Sequence, residues 1–92
     1  MIASFKNKVL LNLWRTGRSS KIDSRVFARI RRRLDALHVA TKPEDVDFPG
    51  FNFRWLMGFE PTRYTVHVNG PWCITFTFAD GDAEEVDFEQ YH

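Results

Sequence analysis

From Phe51 to Phe88 the apolar residues fall on alternate positions, and a period of two is the signature of the β-strand. The pattern is sharpest where Trp72, Ile74, Phe76 and Phe78 alternate with Cys73, Thr75 and Thr77. Phe51, Phe53 and Trp55 alternate with Asn52, Arg54 and Leu56, and Tyr64, Val66 and Val68 with Thr65 and His67. Val86 and Phe88 anchor a last strand. Asn69-Gly70 is a strong hairpin signal, because both residues tolerate positive φ. Asp80-Gly81-Asp82 reads as a second tight turn, and Gly58 to Thr62 as a connection. The second half of the chain is therefore a four-stranded meander.

The first forty residues carry a different period. Val9, Leu10, Leu13 and Trp14 recur at helical spacing in a segment running from about Ile2 to Thr16, with Gly17 as its stop. Phe27, Ile30, Leu34 and Leu37 form the stripe of a second helix, with Asp23 or Ser24 as N-cap and an end near Val39. Arg25, Arg29 and the run Arg31-Arg32-Arg33 occupy most of its remaining surface. Thr41 to Asp45 adds a turn with Pro43 at its first position, and Asp47-Phe48-Pro49-Gly50 breaks the chain. The expected fold class is α+β, two N-terminal helices packed on a mainly antiparallel sheet. That sheet has four strands, or five if the N-terminus joins it. Ninety-two residues supply one core, so residues 1–92 are expected to be one domain. Trp72 and Phe76 belong to the face the helices cover. Cys73, Thr75 and Thr77 leave a shallow open surface on the other, where a site could sit.

Composition removes several classes. Cys73 is the only cysteine, which excludes a disulfide scaffold. No stretch approaches the roughly 20 apolar residues of a membrane span, and the start lacks a secretion signal, so no membrane partner and a cytoplasmic location are expected. His38, His67 and His92 are far apart in sequence and no second Cys exists, so neither a metal site nor a cofactor is expected. The net charge of +1 hides an asymmetry. Residues 1–40 hold ten Lys/Arg against two Asp/Glu, and residues 41–92 hold three against ten. Either the halves neutralise one another, or the basic helical flank, Lys6 and Lys8 included, faces a polyanion, of which nucleic acid is the commonest.

Tyr91-His92 closes the chain. An imidazole takes and gives protons near neutrality, and the acidic residues between 80 and 89 would favour its charged form if they lie close.

Several segments together resemble the HigB branch of the RelE-like bacterial toxins. They are Met1-Ile2-Ala3-Ser4-Phe5-Lys6-Asn7-Lys8, Leu13-Trp14-Arg15-Thr16-Gly17 and Arg33 to Thr41. Pro49-Gly50, Val68-Asn69-Gly70-Pro71-Trp72-Cys73-Ile74-Thr75-Phe76, Asp80-Gly81-Asp82-Ala83 and the terminal Tyr91-His92 continue the match. The resemblance spans essentially the whole chain. It implies the toxin of a type II toxin–antitoxin pair, a ribosome-dependent mRNA endonuclease whose partner is a HigA-like helix-turn-helix antitoxin. The implied chemistry is metal-independent attack by the ribose 2′-hydroxyl on the neighbouring phosphate. That reaction needs a base, an acid and cations.

Carried over position by position, the family pattern is altered. Gln90 stands where the family has Asp, Arg54 replaces His, Met57 replaces Lys and Cys73 replaces Arg. The resemblance implies His92 as acid or base, Arg54 as the phosphate-stabilising cation, and Tyr91 and Gln90 as residues that orient RNA. Arg63 would add a cation along the RNA path. The alternative is a catalytically impaired toxin fold that binds its antitoxin and modulates operon repression.

Overall fold

The computed structural model describes residues 1–91; His92 lies outside them. Two helices, α1 (Lys8–Thr16) and α2 (Phe27–Val39), precede the strands β1 (Arg54–Leu56), β2 (Arg63–Asn69), β3 (Trp72–Ala79) and β4 (Asp82–Gln90). The strands form one antiparallel sheet in the order β1-β2-β3-β4. This is the α+β arrangement expected from the change of period.

Local chemistry sets the helix limits. Helix α1 starts at Lys8, later than the apolar pattern suggested, because the Asn7 carboxamide oxygen accepts from the N–H groups of Val9 and Leu10 at 2.9 and 3.1 Å. It stops at Gly17, whose φ of 81° suits a residue without a Cβ and whose N–H reaches the Leu13 carbonyl. Asp23 caps a 3₁₀ turn at Ser24–Val26 that leads into α2, and Pro43 opens another at Pro43–Val46. Residues 2–6 do not form a fifth strand of their own. They run parallel to the outer edge of β4 through bridges at Ile2–Ala83 and Phe5–Val86, and the N-terminal amine sits 3.0 Å from the Asp82 carboxylate. That segment shields one sheet edge. Only Arg54–Leu56 of the expected 51–56 strand pairs with β2, and Asn52 has φ 50°, which takes it out of strand geometry.

The core lies between the layers. Leu10 and Leu13 from α1, Ile30, Leu34 and Leu37 from α2, and Val66, Ile74, Phe76 and Val86 from the sheet are buried together. Two expectations fail here. Trp72 is 36% exposed, because it lies at the hairpin end beyond the helical cover, stacked on Phe88. Arg33, expected on the solvated side of α2, is buried. It donates to the carbonyls of His67 (2.7 Å), Arg29 (3.1 Å) and Gly50 (3.4 Å) and lies over the Phe51 ring. A guanidinium has enough donors to satisfy several carbonyls at once, which is why an arginine is tolerated there. Burial and the neighbouring Arg32 and Arg29 pull its pKa down.

Candidate active site

The sheet face turned away from the helices is assembled by register. Arg54, Thr65, Thr75 and Asp87 stand opposite one another in a row across the strands, and His67, Cys73 and Glu89 form the adjoining row. Residues directly opposite across strands share a face, so these rows lie side by side. Arg63 is the diagonal neighbour of Arg54, two residues from Thr65 on β2. Their Cα atoms are thus about 7–8 Å apart.

Cys73, Thr75 and Thr77 were expected to leave this surface shallow and open. Instead they are buried, Thr75 completely. Longer neighbours reach over Thr75. The Arg63 Nη2 donates to Thr75 Oγ1 at 2.8 Å and to the Glu85 carbonyl at 3.0 Å, while the Thr75 hydroxyl donates to Glu89 Oε2. A β-bulge makes this possible. The register slips between Thr75, which faces Asp87, and Thr77, which faces Glu84, and the extra residue Glu85 takes φ 52°. The bulge keeps both Ala83 and Val86 in the core and presents the Glu85 carbonyl to Arg63.

Electrostatics mark the same face. Burial raises the Tyr91 phenol pKa, the Glu89 carboxylate adds to the rise, and Arg63 opposes it. Burial likewise pushes the Cys73 thiol up, with Arg54 opposing. Tyr91 is held by its N–H, which donates to the Pro71 carbonyl at 2.7 Å. Arg54 is exposed and engaged in no hydrogen bond or ion pair among the described residues.

Of the residues the sequence singled out, Arg54 and Arg63 are neighbours and Tyr91 shares their face. Gln90 does not join them: it stands opposite Trp72, so it belongs to the helix side of the sheet. Lys6 is exposed beyond the far edge of β4, its N–H bonded to the Val86 carbonyl. Lys8 is exposed at the start of α1, beside Ser19, Ser20 and Lys21. His92 lies outside the described residues. The alternation placed Thr75 on this face but not Glu89 beside it. The signal was present in Ala83, Val86 and Phe88, whose spacing of three then two marks the bulge that places Glu89 on this face.

The charge asymmetry is not resolved by ion pairing between the halves. Among the described residues, Asp23–Arg25 and Arg31–Asp35 are local to the helical half, and only the N-terminal amine with Asp82 joins the two. No helix among the described residues is long and apolar enough to cross a membrane.

Comparison with known proteins identifies the family. A family model described as the RelE-like toxin of type II toxin-antitoxin system HigB matches residues 3–92. The protein named Endoribonuclease HigB of Proteus vulgaris is 34% identical over 92 residues, covering all of both chains. The chain belongs to the HigB-like family of RelE-like toxins of type II toxin–antitoxin systems.

Proposed function

We propose that this toxin is a ribosome-dependent mRNA endonuclease acting in the cytoplasm, and that a HigA-like helix-turn-helix antitoxin neutralises it. The observation that carries the reading is the placing of Arg54 and Arg63 as diagonal neighbours on one sheet face, with Tyr91 on the same face. Guanidinium groups match phosphate oxygens with forked donors. Among the described residues, the Arg63 side chain donates only through Nη2, and the Arg54 side chain donates to none.

The reaction proposed is attack by a ribose 2′-oxygen on the adjacent phosphorus, with departure of the 5′-oxygen. Arg54 and Arg63 stabilise the charge that accumulates on the phosphate oxygens, a contribution of about 3 kcal/mol for each well-placed donor. Tyr91 packs against a base or donates to the phosphate through its phenol, a hydrogen-bond donor at neutral pH. The terminal His92 is assigned proton transfer by its family position. Restricting the reaction to ribosome-bound message follows the same family resemblance, and the exposed helical arginines Arg15, Arg29 and Arg32, in no ion pair among the described residues, suit a ribosomal RNA surface.

A second reading, a toxin fold kept for antitoxin binding alone, is favoured by Met57 and Cys73. Neither a thioether nor a neutral thiol replaces the cations of the family pattern. Induced expression decides between them. The nuclease reading expects growth arrest with cleavage confined to translated transcripts, relieved by His92→Ala and by co-expressed antitoxin. Arrest without cleavage, or no arrest at all, rejects it.

A further inference from the structure

We propose that Glu89 is the general base that removes the proton from the attacking 2′-hydroxyl, a role that rests on the nuclease reading above. Its Oε2 is fixed by the fully buried Thr75 hydroxyl, whose oxygen also accepts from Arg63. Its Oε1 has no protein partner among the described residues and belongs to a half-exposed side chain on the arginine-bearing face. One oxygen is thus oriented by the sheet and the other is left for a ligand hydroxyl. A carboxylate joined through the Thr75 hydroxyl to the Arg63 guanidinium, with Arg54 further across the same face, fits a ribose hydroxyl next to its own 3′-phosphate: the arginines take the phosphate oxygens and Glu89 takes the proton.

The groups around Glu89 are Arg63 and His67 from β2, Cys73 directly opposite on β3, and Asp87 and Tyr91 from its own segment, with Arg54 on the same face at the opposite edge strand, β1. Gln90 cannot serve instead, because a carboxamide is no base and the register turns it to the other side of the sheet.

The step balances. The 2′-hydroxyl proton passes to Glu89 and the 2′-oxygen bonds to phosphorus. The bond from phosphorus to the 5′-oxygen breaks, and that oxygen takes a proton from His92. The products are a 2′,3′-cyclic phosphate and a 5′-hydroxyl. The assignment also accounts for RNA selectivity, since the 2′-hydroxyl is the group DNA lacks.

The test is single-turnover cleavage of ribosome-bound mRNA by the full chain. Glu89→Gln should lower the maximal rate by roughly 10²–10⁴-fold without changing half-saturation. Thr75→Val, which frees the carboxylate without removing it, should lower it less. A substrate whose 5′ leaving oxygen is replaced by sulfur separates base from acid, because a thiolate departs unprotonated. Such a substrate should restore His92→Ala and should not restore Glu89→Gln. Unchanged cleavage by Glu89→Gln, or its rescue by the sulfur substrate, overturns the assignment while leaving the nuclease reading intact. Absence of cleavage by the native chain overturns both.

Discussion

Replacing Arg54 with Ala separates binding chemistry from folding more cleanly than any other change on the sheet face. The side chain is exposed and makes no hydrogen bond or ion pair among the described residues. Its loss should therefore alter folding stability by no more than about 0.5 kcal/mol. If it donates to the phosphate in the transition state, its removal costs about 3 kcal/mol, or roughly 10²-fold in rate. Arg63→Ala provides the contrast. It strips the Thr75 hydroxyl and the Glu85 carbonyl of a donor as well, so it should lower stability by about 1–3 kcal/mol in addition to slowing cleavage. Single-turnover cleavage on programmed ribosomes gives the rate, and urea denaturation gives the stability. Cleavage by Arg54→Ala within about threefold of the native rate would refute the phosphate role, because a lost charged donor cannot cost so little.

Other consequences follow from the same contacts. Arg33→Met keeps bulk beside Phe51 but abandons three carbonyls, and should destabilise by about 2–4 kcal/mol in urea denaturation; a loss below about 0.5 kcal/mol would show that desolvation cancels the hydrogen bonds. Asp23 is held down to about 2 by the hydrogen bonds from the Arg25 side chain and backbone N–H. Its support of the turn before α2 is present above the ordinary carboxylate value of 3.8 and is lost as pH falls toward about 2. Carboxyl NMR should find the midpoint near 2, and a midpoint at 3.8 would contradict the cap geometry. Met57 is 78% exposed, so Met57→Lys should leave stability unchanged. It should raise cleavage about tenfold if the native site lacks positive charge, and an unchanged rate would show that Arg54 and Arg63 already supply enough.

The layer architecture was readable because period and turn chemistry agree along the chain. Val66, Ile74 and Phe76 face the helices as their alternation demands, and Asn69-Gly70 closes the expected hairpin. The site was less legible, for reasons that lie in a few residues. Counted back from the Asp80-Gly81 turn without a bulge, Glu89 would fall opposite Trp72. The extra residue at Glu85 moves it opposite Cys73 and leaves Gln90 in its place. One residue of register exchanges the two faces, and periodicity alone does not weigh that exchange. Arg33 misled for another reason. Its charge places it on a solvated surface, but the carbonyls that draw it inward come from β2 and the Gly50 turn, remote in sequence. The burial of Thr75 likewise depends on Arg63 and Glu89 reaching over it, which no pattern of alternation encodes.

The 2′-hydroxyl of the cleaved nucleotide is the most direct probe of the whole account. Ribosome-bound mRNA carrying a single 2′-deoxy nucleotide at that position should resist the native protein, while the unmodified message should yield a 2′,3′-cyclic phosphate, or the 3′-phosphate from its hydrolysis, and a 5′-hydroxyl. Cleavage of the deoxy substrate at the native rate, or products ending in a 5′-phosphate, would contradict it.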